Sequence, residues 1–565
     1  MTQRVREFIS INSLIALISI AIFATCAHYL QYTNVLGESD LYRVLVGLLD
    51  GAVSGSGIAS PVHYRPSLGF GYILGIYAFT PADLLRDPDA LIRIMNVVGW
   101  AAAVIGAFFF WVLVLLRHGD KAALVSLIVF AFSPMVLDLA SSGHQIVIAF
   151  AFFSIAAALL AARSTGFWAI LLRLVAMLLL ICGLSARAEI FLAFPYIVLA
   201  ETNFTSLRLF FISALRASVI PIIAFFGYIV IRKHFATFPN EEAPVAFFHQ
   251  FFHLTNVVPG FVYIVLGCGI ATAALAILIV PAAIVRTRWN KRQTNIYAEL
   301  GPLIAPIALV IIPFTFWITN PQPSRHFLLM LAGLAIFVGW AVQRVGPRSA
   351  IVTAFAAICV VVLNQGLSEV MRPTLLRLNQ ARSPYLPVAE AYGTFTHAPL
   401  GLIYKRQAAL TERRANWAHF GDQVATACDA KIVVLSDEAE QIIARLYVGG
   451  AGVRIEATNW RGYIAYTVRR GAHLYMILAK MNGWPRDAVS EVLSDPVLAD
   501  YRIVADPQLM SVYDRTAIPR DRIAQLGCTA VNNSPQSLTG HQIIKPEVLD
   551  TGSSNEHSAT QSPSG

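Results

Sequence analysis

Three carboxylates lie close together near the start of the chain, where they could accept a proton. Glu38, Asp40 and Asp50 belong to the stretch GESDLYRVLVGLLDG, which follows the first strongly apolar segment. A carboxylate with an ordinary pKa of about 4 is ionised at neutral pH and can take the proton of a hydroxyl group. The same acids would also simply solvate a helix at a membrane surface, where charge costs little. Their position alone leaves a general base and a solvated helix as alternatives.

A second set of charged residues lies between later apolar segments. Arg187 and Glu189 stand at one such junction, and Arg325 and His326 in PQPSRHF come just before another. Arginine presents a planar fork that can donate two hydrogen bonds to a phosphate group. An ion pair at a helix end explains Arg187 and Glu189 equally well, and an interfacial anchor explains Arg325. Phosphate binding and a structural role are therefore both open for these cations.

Two pairs of polar residues interrupt otherwise apolar sequence. Asp138 and His144 lie in FSPMVLDLASSGHQIVIAFAFFS and are candidates for lining a site or for plain buried polar groups. His249 and His253 in FFHQFFH have the i, i+4 spacing of one helix face, but the interleaved phenylalanines favour an interfacial helix over metal binding. No C-x-x-C spacing occurs, and the sequence does not indicate whether a divalent metal is required.

The elements that position these residues are predicted from composition. Of the 565 residues, 56% are hydrophobic and only 13% are charged, which is too little polar surface for a soluble fold of this length. The mean hydropathy is +0.62. The chain is therefore predicted to be an α-helical polytopic membrane protein. The net charge of +9 is attributed to basic cytoplasmic loops and not to nucleic-acid binding.

About eleven apolar segments are predicted to span the membrane. They cover about residues 8–30, 97–116, 122–139, 146–162, 174–184, 190–200, 219–231, 257–285, 300–318, 327–342 and 350–363. The first one is longer than the ~7–15 residues of a signal-peptide core, so we predict that it is retained. The basic connections, among them RHGDK, RTRWNKR and QRVGPR, alternate so that the N-terminus is cytoplasmic and the chain after about residue 366 is outside.

The chain divides into three predicted regions. Residues 1–366 form the membrane domain, and residues 367–531 contain short β-branched runs such as KIVVLSD and HLYMILAK, which are typical of a small extracytoplasmic α/β domain. Residues 532–565 are rich in Ser, Asn, Thr, Gln, Gly and Pro and are predicted to be disordered. Cys428 and Cys528 lie in the predicted extracytoplasmic domain, where a disulfide and two free thiols remain alternatives.

The order of these features resembles the GT-C glycosyltransferases, polytopic enzymes that use polyprenyl-phosphate-linked sugars. One span is followed by an acid-bearing D-x-Y segment, then by HYRPSLGFGYIL, then by Arg93 at the start of the second span; GLSARAEIFLAFPYIVL and NPQPSRHFLLMLAGLAIF extend the likeness. The resemblance covers about two thirds of the chain. His326 replaces a frequent Tyr of the family, and Gly143–Gln145 replaces a commonly acidic position.

The resemblance implies roles for individual residues. It makes Asp40 the general base, with Glu38 in support. The donor phosphate would be bound by Arg325, His326, Arg187 and Arg93, and the acceptor side of the site would be lined by Asp138, His144, His63, Tyr64 and Arg65.

The function implied is transfer of a sugar, by inversion, from a polyprenyl-phosphate donor to an extracytoplasmic glycan, lipid or protein at a bacterial inner membrane. A lipid transporter or flippase is the main alternative, and it would show related halves, broken spans and charge at bilayer depth. A glycan polymerase or ligase is a third possibility. The sugar, the acceptor and the lipid length are not predicted.

Overall fold

The structure is a computed structural model that describes most of the apolar part of the chain. The described residues are 10–32, 70–81, 83–162, 165–235, 269–290, 296–317, 327–346 and 349–380, three short strands, and positions 36, 41, 45, 407 and 411. Everything stated below about the structure refers to these residues.

The described elements are thirteen α-helices, two 3-10 helices and three strands. The α-helices are α1 Ile11–Tyr29, α2 Phe70–Phe79, α3 Pro88–His118, α4 Asp120–Ala131, α5 Pro134–Ser141, α6 Gln145–Ala161, α7 Gly166–Ala186, α8 Phe194–Glu201, α9 Leu207–Phe235, α10 Ile270–Asn290, α11 Ile296–Trp317, α12 Leu328–Val345 and α13 Ala350–Gln380. The 3-10 helices are Leu84–Arg86 and Ala188–Ala193.

Six of the described helices are long and apolar enough to cross a membrane, or seven if α4 and α5 count as one broken span. They are α1, α3, α7, α9, α12 and α13, while α6 and the apolar parts of α10 and α11 are shorter. The polytopic helical class predicted from the sequence is therefore observed, and the figure of eleven spans stays a prediction.

The bundle is closely packed around α3, α4, α6 and α12, and small residues permit the contacts. A Cβ atom on Gly106 of α3 would lie 3.3 Å from the Cα atom of Ala151 in α6, and one on Gly339 of α12 would lie 2.4 Å from the carbonyl oxygen of Ala122. The core between these helices contains Phe110, Phe130 and Phe150, whose rings lie 4.7–6.0 Å apart. Aromatic packing at these separations adds to the burial of apolar area.

The bundle has two distinct polar ends. At the first, called the Tyr32 end, residues following α1 and α5 meet the start of α3. At the second, called the Arg117 end, the Nδ2 atom of Asn12 donates to the Asp120 carboxylate over 2.8 Å, and Arg117 donates to the carbonyl oxygen of Ala200 over 2.7 Å. Asn96 at the Tyr32 end and Arg117 are separated by roughly 32 Å along α3, at 1.5 Å per helical residue.

The predicted span at residues 190–200 is not a single α-helix. The 3-10 helix Ala188–Ala193 is followed directly by α8, whose early Pro195 lacks the N–H that a continuing helix would require. Together the two elements rise roughly 24 Å, because a 3-10 helix rises about 2.0 Å per residue. They therefore run from Arg187, after α7, to Glu201, which pairs with Arg117 at the other end.

The predicted span at residues 122–139 is bent. Helices α4 and α5 meet at an angle of 63° around Phe132 and Ser133. Ser133 has an extended backbone, and its side chain accepts a hydrogen bond from the N–H of Val136 at 3.3 Å. This serine cap, followed by Pro134 in the first turn, starts a new helix with a new direction.

The described part of the C-terminal region is a three-stranded parallel sheet. Its strands are β1 Lys431–Leu435, β2 Leu474–Leu478 and β3 Ile503–Val504, in the order β1-β2-β3 with Lys431 opposite Leu474. Strands β1 and β2 lie in the predicted runs KIVVLSD and HLYMILAK. Parallel pairing requires a crossover connection between successive strands. The α/β domain boundaries, the tail, Cys428 and Cys528 lie outside the described residues.

Candidate functional site at the Tyr32 end

A buried hydrogen-bond cluster holds the chain that leaves α1. The hydroxyl of Tyr32 donates to the Oδ1 atom of Asp138 over 3.2 Å, and its backbone N–H donates to the carbonyl oxygen of Ser141 over 3.0 Å. The Nδ2 atom of Asn96 donates to the carbonyl oxygen of Tyr32. All four residues are at most 1% exposed. The cluster fixes the base of the loop that carries the predicted acids.

The short helix α5 positions Asp138 in this cluster. It ends in a turn where the N–H of Ser142 donates to the carbonyl oxygen of Asp138 over 2.9 Å, and Gly143 has a φ of +67°. A side chain would be strained at that φ. It would also collide with α3, since a Cβ atom on Gly143 would lie 2.7 Å from the carbonyl oxygen of Met95. Glycine therefore lets the turn lie directly on α3.

His144 follows this turn and caps α6. It is fully buried, and its Nδ1 atom accepts a hydrogen bond from the N–H of Ile146 over 3.1 Å. An accepting Nδ1 carries no proton, so the ring is the neutral tautomer with its hydrogen on Nε2. His144 thus has a local structural role at the predicted site.

Arg187 is the buried cation of this end of the bundle. It is 4% exposed, and its Nε atom donates to the Oε1 atom of Glu189 over 3.0 Å, while its Nη2 atom lies 2.9 Å from the same oxygen. The backbone N–H of Arg187 donates to the carbonyl oxygen of Gly183 over 2.9 Å, which ends α7. The side chain is therefore oriented by a carboxylate and by a fixed helix end.

Arg187 and Glu189 face a small cleft with otherwise apolar walls. The walls come from the first turns of α6 and α12 and from the 3-10 helix, namely Ile146, Ala149, Phe150, Ile190, Leu192, Leu328 and Leu329. In a low-dielectric setting, a guanidinium binds a phosphate more strongly than it does in water. The cleft therefore combines a buried ion pair with apolar walls.

The tertiary structure brings together three of the predicted site residues. Asp138, His144 and Arg187 all lie at the Tyr32 end, although they come from three different elements. Arg93 is also on α3 near this end, but its side chain is exposed and does not line the Arg187 cleft. The remaining predicted site residues, Glu38, Asp40, His63, Tyr64, Arg65, Arg325 and His326, lie outside the described residues.

Sequence reasoning missed other polar residues of this end. Tyr32 and Asn96 belong to the Asp138 cluster, and Tyr72 of α2 donates to the carbonyl oxygen of Met95 over 3.4 Å. Burial raises the pKa of Tyr72, so its phenol stays protonated. The available signal was a lone polar residue in an apolar helix, as in IMNVVGW around Asn96, because such residues need partners within the bundle.

Metal binding has no support in the described part of the chain. Within it, no three His, Cys, Asp or Glu side chains converge as ligands. His249 and His253 lie outside that part.

Comparison with known proteins finds similar solved structures. No family model matches the sequence, and no curated protein matches it significantly. Two solved structures of ArnT from Cupriavidus metallidurans, apo and bound to undecaprenyl phosphate, are similar over 77% of this chain and 85% of ArnT, with 15% identity and TM-scores of 0.47 and 0.45. With TM-scores below 0.5, the function of this chain has to be argued from its own residues.

Proposed function

We propose that the protein is a membrane glycosyltransferase that moves a sugar from a polyprenyl-phosphate donor to an extracytoplasmic acceptor. The observation that carries the proposal is Arg187, a nearly fully buried cation that faces an apolar cleft. A cation that binds the departing lipid phosphate stabilises the charge that develops as the sugar–phosphate bond breaks. The guanidinium of Arg187 is the group that would bind the donor phosphate, and the exposed apolar faces of the helices suit the prenyl chain.

The second part of the proposal concerns the base. Asp40 takes the proton of the acceptor hydroxyl, and Glu38 supports it, as the GT-C resemblance implies. Tyr32, held by Asp138 and Asn96, anchors the start of the loop that contains both acids. Arg325 and His326 complete the phosphate site in this proposal, because they directly precede Phe327 and the cleft residue Leu328 in the sequence.

The proposal includes an orientation. We place the Arg117 end in the cytoplasm, because Arg117, Lys121 and Arg344 collect there and basic residues accumulate on the cytoplasmic side. The Tyr32 end and the C-terminal domain are then periplasmic. Reporters fused to the N-terminus and near Gly366 test this orientation. A reporter that is active only in the cytoplasm should be active at the N-terminus, and one that is active only in the periplasm should be active near Gly366. Two reporters on one side would refute the orientation.

The bend between α4 and α5 is the observation that favours the rival function, since broken spans are typical of transporters. A transporter or flippase would move a fluorescent lipid phosphate across a vesicle membrane without any acceptor. A transferase would consume the donor only when an acceptor is present. Reconstitution with a donor, with and without a mixed acceptor fraction, therefore separates the two functions.

The direct test supplies purified protein in lipid nanodiscs with a panel of polyprenyl-phosphate sugars and cell-envelope acceptors. We expect release of polyprenyl phosphate, followed by mass spectrometry, with one or a few of the donors. The same assay on Arg187→Gln should show strongly reduced release, whereas Arg117→Gln at the other end serves as the matched control. Equal release by wild type and Arg187→Gln would contradict the assigned role of the cleft.

A further inference from the structure

Two arginines are exposed on the membrane-spanning helices α7 and α9. Arg173 and Arg216 make no hydrogen bond or ion pair with the part of the chain that the structure describes. Both lie well inside helices that are apolar enough to cross a membrane, roughly 10 Å beyond Gly166 in α7 and roughly 14 Å beyond Leu207 in α9. Charged side chains within membrane spans are rare and usually have a partner.

Helices α7 and α9 run in the same direction, from the Arg117 end towards the Tyr32 end. Helix α7 ends at Arg187, which belongs to the Tyr32 end, and α9 follows α8, whose Ala200 accepts a hydrogen bond from Arg117. A contact between the two helices fixes their relative height, because a Cβ atom on Gly227 of α9 would lie 2.9 Å from the Cδ1 atom of Ile181 in α7.

The same contact places the two arginines close to each other. Arg216 precedes Gly227 by about three full helical turns, so both lie on the face of α9 that meets α7. Arg173 precedes Ile181 by two i+4 steps and therefore lies on the same ridge of α7. Measured back from the contact, Arg216 is roughly 16.5 Å away along α9 and Arg173 roughly 12 Å away along α7. The two arginines thus share one height at the seam between the helices.

This seam has no carboxylate of its own to balance the two charges. The sequences of α7 and α9 contain no aspartate and no glutamate. Glu201, which ends α8, is paired with Arg117. Two like charges at one height repel each other, and the repulsion is stronger beside lipid than in water. An anion between the two guanidinium groups would remove it.

The surface around the two arginines is apolar. Trp168 and Ile170 of α7 are 63% and 60% exposed, and Ile212 and Leu215 of α9 are 55% and 73% exposed. Exposed apolar side chains of spanning helices face lipid, and tryptophan is enriched where a span meets the membrane surface. The seam therefore combines two cations with flanks that acyl chains can cover.

We propose that the seam between α7 and α9 binds an anionic phospholipid. Its phosphate group accepts hydrogen bonds from Arg173 and Arg216, and its acyl chains lie along the apolar faces of the two helices. The planar guanidinium group suits this contact, because it donates two hydrogen bonds to phosphate oxygens. Basic pockets between spanning helices bind anionic headgroups in this way. The site is separate from the Arg187 cleft, and the lipid belongs to the leaflet at the Arg117 end.

The experiment titrates detergent-purified full-length protein with phosphatidylglycerol or phosphatidylcholine and measures Kd for the first bound lipid by native mass spectrometry. Both lipids carry a phosphate group, but only phosphatidylglycerol has a net negative charge. Wild type is compared with the double variant Arg173→Gln/Arg216→Gln. Arg208→Gln is the matched control, because Arg208 is also an exposed, unpaired arginine among the described residues of α9 but lies roughly 12 Å nearer the helix start than Arg216.

We expect wild type to bind phosphatidylglycerol about 10-fold more tightly than phosphatidylcholine, as two arginines beside an anionic headgroup allow. The double variant should lose this preference, and Arg208→Gln should keep it within about twofold of wild type. The variant Arg173→Lys/Arg216→Lys keeps both charges, and hence the charge pattern that orients the protein in the membrane. It should bind phosphatidylglycerol with an intermediate affinity, because lysine lacks the fork.

Several results would overturn the inference. They are a preference that survives in the double glutamine variant, an equal loss in Arg208→Gln, an unchanged affinity in the double lysine variant, or a wild type without any preference. Undecaprenyl phosphate is tested in the same way. If it bound more tightly than phosphatidylglycerol and only the double variant lost it, the seam would be a site for the carrier lipid and the assignment to a phospholipid would be wrong. None of these measurements depends on sugar transfer, so the proposed function is tested separately.

Discussion

The two ends of the bundle carry the same kind of ion pair in different environments. At the Arg117 end, the side chains of Arg117 and Glu201 are 19% and 37% exposed, and Arg117 also ties α3 to the end of α8. At the Tyr32 end, those of Arg187 and Glu189 are 5% and 18% exposed and face an apolar cleft. A partly exposed pair adds at most about 1 kcal/mol to stability, whereas a buried one has a larger desolvation penalty and needs another reason to persist.

The surroundings of the two pairs extend this contrast. The Arg117 end is completed by contacts between helix termini, such as Asn12 with Asp120 and Arg344 over the ring of Trp340 at 4.3 Å. The Tyr32 end contains the buried Asp138 cluster and the unpaired amide of Gln145. An unpaired buried polar group costs about 1–3 kcal/mol. The difference teaches that one end is held by contacts between helix termini, whereas the other is held by a buried polar cluster.

The largest expected effect tests the base assigned to the Tyr32 end. Asp40→Asn should lower sugar transfer by about 10²–10⁴-fold, the usual contribution of general-base catalysis, because an amide cannot accept the hydroxyl proton. Glu38→Gln should reduce it less. Single-turnover transfer in nanodiscs provides the measurement, with Asp120→Asn at the Arg117 end as the control. Near-normal turnover of Asp40→Asn would mean that this carboxylate is only a solvated loop residue and not the general base.

The second-largest expected effect is the difference in sugar transfer between variants of Arg187 and Arg117. Arg187→Gln should lower transfer by about 10²–10³-fold, as removal of a charge-stabilising donor does, while Arg117→Gln should leave kcat within about threefold of wild type. Both variants must be compared at equal amounts of folded protein, measured by size-exclusion chromatography. Similar losses in the two variants would mean that each pair acts only through stability.

Substitution of two glycines with positive φ compares the packing at the two ends of the bundle. Gly143 has a φ of +67° and lies against α3, whereas Gly166, near the start of α7, has a φ of +63° with nothing within 4 Å of an added Cβ atom. Gly166→Ala should cost only the backbone strain of about 1–2 kcal/mol. Gly143→Ala should lower the stability by about 1–3 kcal/mol more, because the added methyl group collides with α3. Thermal midpoints of the detergent-purified variants rank them, and a midpoint for Gly143→Ala at or above that of Gly166→Ala would contradict the close contact.

The smallest effect concerns the anchor of the loop. Tyr32→Phe removes the hydroxyl that donates to Asp138 and should lower the free energy of unfolding by about 1–3 kcal/mol. Tyr29 at the end of α1 is 78% exposed, so Tyr29→Phe should change the free energy of unfolding by less than about 0.5 kcal/mol. The thermal midpoints of both variants provide the test. Equal midpoints would show that the Asp138 cluster does not depend on this hydroxyl.

Much of the fold could be predicted from the sequence because long apolar runs must form helices in a membrane. The segments predicted around α3, α7 and α12 are helices of spanning length. The predicted segment 190–200 consists of a 3-10 helix followed by α8, a division that hydropathy does not register. The bend at Ser133 was missed for the same reason, although the serine cap and Pro134 are visible in the sequence.

The sequence by itself determined the class of protein, the positions of most helices and the charged residues at their ends, because these follow from local composition and hydropathy. The tertiary structure alone decided which of those residues meet. Arg187 and Ile146 share a cleft, and Tyr32 reaches Asp138, through the packing of separate helices. It also decided that Arg187 is buried while Arg93 is exposed, since burial depends on neighbouring elements that are distant in the chain.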